Sequence, residues 1–275
     1  MFLHQKELQF EAKPDKPNPL IAKYLQELIG GQYGEMSVAM QYLFQGWSCR
    51  GEEKYKDMLM DIATEEIGHV EMLATMVARL LEGAPVEDQE AAMKKDPAIG
   101  AIISGMNPQH AIVAGLGPRP ADSVGNPWSG AYIIASGNLL ADFRANLNAE
   151  SQGRLQVARI YEMIDDRGVK DLLSVLLARD SYHQNLWAQA VKELEEKEGT
   201  ILVPSTFPRN EERLDIAYDF YNFSEGDQSK EGSWGKGKAL DGEGEYQWLS
   251  TPKVEGKAPK LDPVTPKMYG TPPEK

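Results

Sequence analysis

From Leu20 onward, apolar side chains recur at helical spacing: Leu20, Tyr24, Leu25, Leu28 and Ile29, then Met36, Ala39, Met40 and Leu43. That period predicts one helix ending near Arg50–Gly51, with the Gly30–Gly31 pair inside it as a weak point and a mark of close packing. A second helix is expected from Glu52 to Leu81, stopped by Gly83-Ala84-Pro85. Residues 84–128 lose the period. They carry GMNPQH, GLGPRP and GNPW, with a short helical stretch expected near 88–104. A connection of this length suits a crossover between two helix pairs. A third helix is expected from Ser129 to Ile164. After the turn Asp165-Asp166-Arg167-Gly168 a fourth runs from Val169 to Glu196. The expected fold is all-α: a four-helix bundle over residues 19–198.

The flanks read differently. Residues 1–18 contain PDKPNP, which no helix interior accommodates, and are expected to form an arm. Residues 199–275 are rich in Gly, Pro and charge, with six prolines after position 250. That composition is too polar for a core of its own. Two readings follow: a disordered tail, or an extended arm wrapping the bundle or a neighbouring subunit. Trp234, Tyr246, Trp248 and Tyr269 favour the arm, because a purely solvating tail seldom carries so many aromatics.

Composition narrows the function. The 275 residues include 29 Lys and Arg against 42 Asp and Glu, a formal net charge of −13. An acidic chain without a basic cluster repels phosphate backbones, so no nucleic-acid partner is expected. No apolar run is long enough to span a membrane, and the N-terminus lacks a basic stretch followed by an apolar one. A cytoplasmic location with no membrane partner is the expectation. Cys49 is the single cysteine, which excludes an internal disulfide and any multi-cysteine metal site.

The four histidines then matter. Glu66 and His69 lie one turn apart in the second helix, on a face otherwise made of Leu59, Ile62, Leu73, Met76 and Leu80. Asp180 and His183 repeat the spacing in the fourth helix, among Leu173, Leu176, Trp187, Ala190 and Leu194. Glu35 shares a face with Leu28, Gln32, Ala39 and Tyr42, and Glu150 shares one with Phe143, Leu147 and Val157. Each of these acids precedes its acid-x-x-His pair by the length of one helix hairpin. Burying an unpaired carboxylate costs several kcal/mol, and several carboxylates together repel one another. No inward Lys or Arg offsets them. Two divalent cations do, and oxygen and imidazole donors without thiolate suit manganese or iron. A single Glu-x-x-His is common on solvated helices; two of them with matching inward acids are not. His110 is expected to make loop hydrogen bonds, His4 to lie on the surface, and Glu65 and Glu71 to form the solvated face of the second helix.

These residues resemble the manganese catalases, along the whole chain. GGQYGEMSVAMQYL, EEIGHVEML, NAESQGRLQVARIYEM and RDSYHQNLWAQA carry the likeness. The resemblance implies a ferritin-like bundle that disproportionates hydrogen peroxide to water and dioxygen. It implies two manganese ions per subunit. Glu35 and His69 would hold one, Glu150 and His183 the other, and Glu66 would bridge them. It implies that Tyr42 lies over the cluster, the alternative being an ordinary packed aromatic. At Asp180 the family pattern leads one to expect Glu. The shorter Asp fits a proton-relaying role beside the ligands better than direct ligation. Arg154 is the leading candidate for a basic residue near the cluster, ahead of Arg179. The resemblance also suggests a calcium ion on Asp57, Asp61, Asn222, Ser224 and Gly226, the alternative being surface acids without an ion. It implies a homo-oligomer, expected to be a hexamer. Two other functions use the same bundle: a di-iron oxidase or ferroxidase, and a non-catalytic structural or coat-type protein.

Overall fold

The computed structural model describes residues 3–83 and 105–269. The expected helical stretch at 88–104 lies outside the described residues. The chain divides into two units, Met1–Pro204 and Ser205–Lys275.

In the first unit the predicted opening helix is two helices. α1 spans Pro19–Gly30 and α2 spans Glu35–Ser48. Asn18 caps α1 by accepting from the Leu20 and Ile21 amides, and Pro19 occupies the first turn, where its missing N–H costs nothing. The break has a packing cause. A Cβ at Gly30 would sit 2.3 Å from the Ala121 carbonyl oxygen, so the crossover chain presses directly on this backbone. Breaking the helix there places Glu35 at the N-terminus of α2, at the positive end of a helix dipole.

α3 spans Glu53–Leu80, and the short α4 spans Pro108–Ile112 within the crossover. α5 spans Leu139–Met163 and α6 spans Arg167–Glu198. The predicted start of the third helix at Ser129 is corrected to Leu139. The Asp142 carboxylate accepts from the Ser136 amide and hydroxyl and the Gly137 amide, while Asn138 caps α5. These bonds hold the chain before residue 139 out of the helix. Asp166 caps α6 through the Val169 amide and also accepts the Asp15 amide of the N-terminal arm. Arg79 donates to the Ala12 carbonyl, and Ala12 is fully buried, so the arm is seated along α3.

Short connections make hairpins of α2–α3 and α5–α6. Two apolar clusters hold the helices together. One joins α1, α3, α5 and α6 through residues such as Leu25, Met72, Val157 and Leu173. The other joins α2, α3, α5 and α6 through Tyr42, Leu59, Phe143 and Trp187. Each fully buried large side chain contributes about 1.5–3 kcal/mol. On α3 the two clusters end at Ala63 and begin again at Met72, so Glu66 and His69 fall between them.

Buried amides fasten the crossover. Gln26 donates to the Arg119 and Ala121 carbonyls and accepts from the Arg119 amide, with His110 Nε2 3.1 Å from its Oε1. Gln41, Gln45 and Asn146 bond to one another and to the backbone of Ile134.

The second unit is not an extended arm throughout. β1 (Asp219–Tyr221), β2 (Lys236–Lys238) and β3 (Glu245–Leu249) form a sheet in the order β1-β3-β2, with β1 parallel and β2 antiparallel to β3. Polar contacts do much of the work of a core here. Arg209 donates to the Tyr218 hydroxyl, which donates to Asp241, and Trp248 Nε1 donates to Ser229. The molecule is therefore mostly helical rather than all-α. No helix among the described residues is long and apolar enough to cross a membrane.

Candidate metal centre

Four helices converge at the gap between the apolar clusters. α2 brings Glu35, α3 brings Glu66 and His69, α5 brings Glu150, and α6 brings Asp180 and His183. All six are buried, the two histidines completely and Glu66 to within 1%. Glu66 lies at the centre. Its Oε2 is 2.7 Å from His69 Nδ1, and its Oε1 is 2.7 Å from His183 Nδ1. Glu35 Oε2 lies 3.8 Å from His69 Nδ1, and Glu150 Oε1 lies 3.6 Å from His183 Nδ1. The imidazoles are nearly parallel, their ring centres 6.0 Å apart. Two sets of donor atoms result, Glu35–Glu66–His69 and Glu66–Glu150–His183, each within 4.8 Å and sharing Glu66.

The electrostatics suit a site for cations. Burial, then the charge of Glu66, pushes the Glu35 and Glu150 carboxyls above the usual range. Burial and the neighbouring charges of Glu150 and Glu66 raise Asp180 to about 8. Burial acts to raise Glu66 too, but the two histidines outweigh it and hold this carboxyl low. For the histidines burial acts downward, yet the surrounding carboxylates prevail: His69 is raised well above its ordinary value and His183 reaches about 12. Glu66 Oε1, His69 Nε2 and His183 Nδ1 are buried without a hydrogen-bond partner among the described residues. Unsatisfied donor atoms facing inward, three carboxylates and two imidazoles fit a pair of divalent cations.

Tyr42 is fully buried against Trp187 and donates its hydroxyl to Glu150 Oε1 at 2.7 Å. Asp180 belongs to neither donor set. It lines a cavity of about 10 Å3 together with Glu35 and Glu150. Leu28, Tyr33, Val38, Ala149, Gly153 and Val157 complete the walls. That space holds roughly one water molecule, so it admits only a very small reactant.

Two side chains have different places from those expected. Glu65 is not on a solvated face. Its side chain is 19% exposed, and its oxygens lie 3.6 Å from His69 Nε2 and 3.3 Å from His183 Nε2. Arg179 binds both of these oxygens, at 2.5 and 3.0 Å. Arg154 instead donates to Ser181 Oγ and does not line the cavity. Arg179 is thus bonded to the acid that lies beside both histidines. The missed signal was spacing: Glu65 and His69, like Arg179 and His183, are four residues apart, which also places them side by side on a helix.

The residues suggested for calcium fall on both units. Asp57 and Asp61 are exposed, one turn apart on α3. In the second unit Asn222 donates to the Gly226 carbonyl and accepts from the Ser224 amide.

Comparison with known proteins bears on this centre. The family described as manganese containing catalase matches residues 1–273. A manganese catalase of Bacillus subtilis strain 168 is 62% identical over 271 residues, which is 98% of both chains. A manganese catalase of Lactiplantibacillus plantarum is 43% identical over 271 residues, again 98% of each. The crystal structure of KatB, a manganese catalase from Anabaena PCC7120, superposes with a TM-score of 0.71 at 27% identity, covering 92% of this chain and all of that one. With end-to-end sequence similarity and two donor sets joined through Glu66, the chain belongs to the manganese catalase family.

Proposed function

We propose that this protein disproportionates hydrogen peroxide to water and dioxygen at two manganese ions, held by Glu35 and His69 on one side, by Glu150 and His183 on the other, and by Glu66 between them. The observation that carries the reading is the pair of Glu66 oxygens, each turned to the Nδ1 of a different histidine. When bound, the manganese pair supplies Lewis acidity and two-electron redox capacity, each ion moving between its +2 and +3 states.

The chain's own groups do the rest. The narrow cavity, where Glu35, Glu150 and Asp180 sit among apolar side chains, admits a small neutral reactant and excludes larger ones. Asp180 lines that cavity outside both donor sets, where its carboxyl is placed to take up and give back a proton. The Tyr42 hydroxyl fixes Glu150 through its bond to Oε1. A di-iron oxidase, the rival on the same helices, uses two complete Glu-x-x-His motifs; Asp180 lies outside both donor sets here.

In the same reading the first unit is a ferritin-like four-helix bundle with its first helix broken, and the assembly is a cytoplasmic homo-hexamer. Light scattering that returned a single-chain mass near 30.6 kDa would contradict the assembly. A calcium ion accompanies the manganese. Oxygen donors of the kind it takes are Asp57 and Asp61 on α3 and, in the second unit, Asn222, Ser224 and Gly226.

The test is elemental analysis of the purified protein paired with an oxygen electrode after addition of peroxide, on wild type and Glu66→Ala. Two manganese per chain and rapid oxygen release in the wild type, both lost in the variant, are expected. Iron in place of manganese, with no oxygen released even after loading with manganese, would overturn the reading.

A further inference from the structure

Both histidines turn Nδ1 toward Glu66, so both turn Nε2 the other way, and there they meet one residue. Glu65 Oε2 lies 3.3 Å from His183 Nε2, and Oε1 lies 3.6 Å from His69 Nε2. We propose that Glu65, clamped by Arg179, is a positioning residue that serves both metal-binding histidines at once, fixing the tautomer and the ring plane of each. The proposal rests on the dimanganese reading above.

A histidine that binds a cation through Nδ1 carries its proton on Nε2. In a buried site that N–H needs an acceptor, and a carboxylate there both orients the ring and strengthens it as a ligand. Among the described residues His69 Nε2 makes no hydrogen bond, and the Glu65 carboxylate, 3.6 Å away, is the acceptor that faces it. Glu65 is not itself placed as a metal ligand, because it faces the Nε2 edges and not the Nδ1 edges where Glu35, Glu66 and Glu150 gather.

The carboxylate is held from its far side. Arg179 donates Nε to Oε1 and Nη2 to Oε2, a two-pronged grip that fixes the carboxylate plane. The guanidinium stacks over the Tyr182 ring, 4.8 Å away. Gln9, from the N-terminal arm, donates to Oε1 at 3.2 Å. The spacing is matched on the two helices: Glu65 precedes His69 by four residues on α3, and Arg179 precedes His183 by four on α6. One ion pair thereby closes the histidine side of the centre from both hairpins. Because the arginine balances Glu65, this acid does not add to the negative charge that the cations must offset.

A simple helix-pinning ion pair would have the same contacts, so the test must read the metal sites separately. Metal-free wild type, Glu65→Gln, Arg179→Gln and, as a control at a half-exposed α3 acid that pairs with His4, Glu71→Gln are titrated with manganese(II) by calorimetry. EPR follows the bound metal, and the melting temperature of each metal-free form is recorded. In Glu65→Gln the amide offers one carbonyl oxygen to two Nε2–H donors, so one histidine loses its acceptor. One of the two manganese steps should weaken about tenfold to a hundredfold while the other changes little. The EPR signal of the coupled pair should give way to that of single, uncoupled manganese(II) at equal metal. Arg179→Gln keeps the carboxylate but frees its plane. It should weaken both steps by a smaller factor, and it keeps the proposal testable if Glu65→Gln fails to fold. Glu71→Gln should match wild type. Two unchanged manganese steps in the Glu65 and Arg179 variants, with only a lower melting temperature, would overturn the proposal and leave the pair a structural one. A wild type that takes up no manganese would instead remove the dimanganese reading itself.

Discussion

Single atoms at the centre of this protein set strong expectations about protons. Without cations, Glu35, Glu150, Asp180, His69 and His183 all hold protons at pH values where the free groups would have lost them. Cation binding needs the opposite forms, ionised carboxyls and neutral imidazoles. Manganese uptake must therefore release protons, and apparent affinity must rise with pH as Asp180 and its neighbours ionise. Calorimetry in buffers of different ionisation heat should show net proton release at pH 7, and affinity increasing from pH 6 to pH 8; uptake without proton release would contradict the assignment. Tyr42→Phe removes a buried hydrogen bond to a carboxylate, an interaction of about 1.5–3 kcal/mol. Peroxide turnover and the manganese step involving Glu150 should each fall by roughly tenfold or more, with the fold intact by circular dichroism. Asp180→Asn should keep both manganese ions and lose most of the turnover, as a steady-state assay on metal-replete protein would reveal. At this scale the sequence was readable wherever a polar residue interrupted an apolar face, as Glu66, His69 and His183 do. It was silent where a charged residue sat at the edge of such a face. Glu65 looks solvated in the sequence because its partners, Arg179 and His183, arrive from another helix.

Elements show the same contrast. α3 and α6 begin and end within a few residues of where periodicity, caps and breakers place them, because their signals are local. The break after α1 is imposed from a distance, where Ala121 meets the backbone of Gly30. The late start of α5 is local: Asn138 caps the helix and Asp142 gathers the amides of Ser136 and Gly137, signals that the apolar period does not carry. The break after α1 has a direct test. Gly30→Val drives a side chain into the Ala121 carbonyl, and overpacking of this kind costs about 1–3 kcal/mol. The melting temperature should drop by roughly 2–10 °C. Manganese affinity should suffer as well, since Glu35 begins the helix just beyond the break. A variant as stable as wild type would show that the crossover does not press on α1.

Across the whole molecule, two hairpins with apolar clusters above and below enclose a layer that no apolar packing can satisfy. The metal pair belongs to the folding equilibrium as much as to the chemistry, since a ligand that binds only the folded state stabilises it by mass action. Removing metal with a strong chelator should lower the melting temperature by about 5–10 °C, and readdition of manganese should restore it. Net charge and the absence of a basic cluster argued against many functions but named none; the likeness along the chain and the shared carboxylate did. The second unit was the least legible part. Its short strands carry few apolar residues and are held by Arg209, Tyr218 and Asp241, a pattern that reads as loop in any single stretch of sequence.

The central claim is that one buried carboxylate joins two cations. Anomalous X-ray diffraction at the manganese edge, on crystals of the manganese-loaded protein, addresses it most directly. The account predicts two peaks flanking Glu66, one beside Nδ1 of His69 and the other beside Nδ1 of His183. A single peak, or peaks away from Glu66, would contradict it.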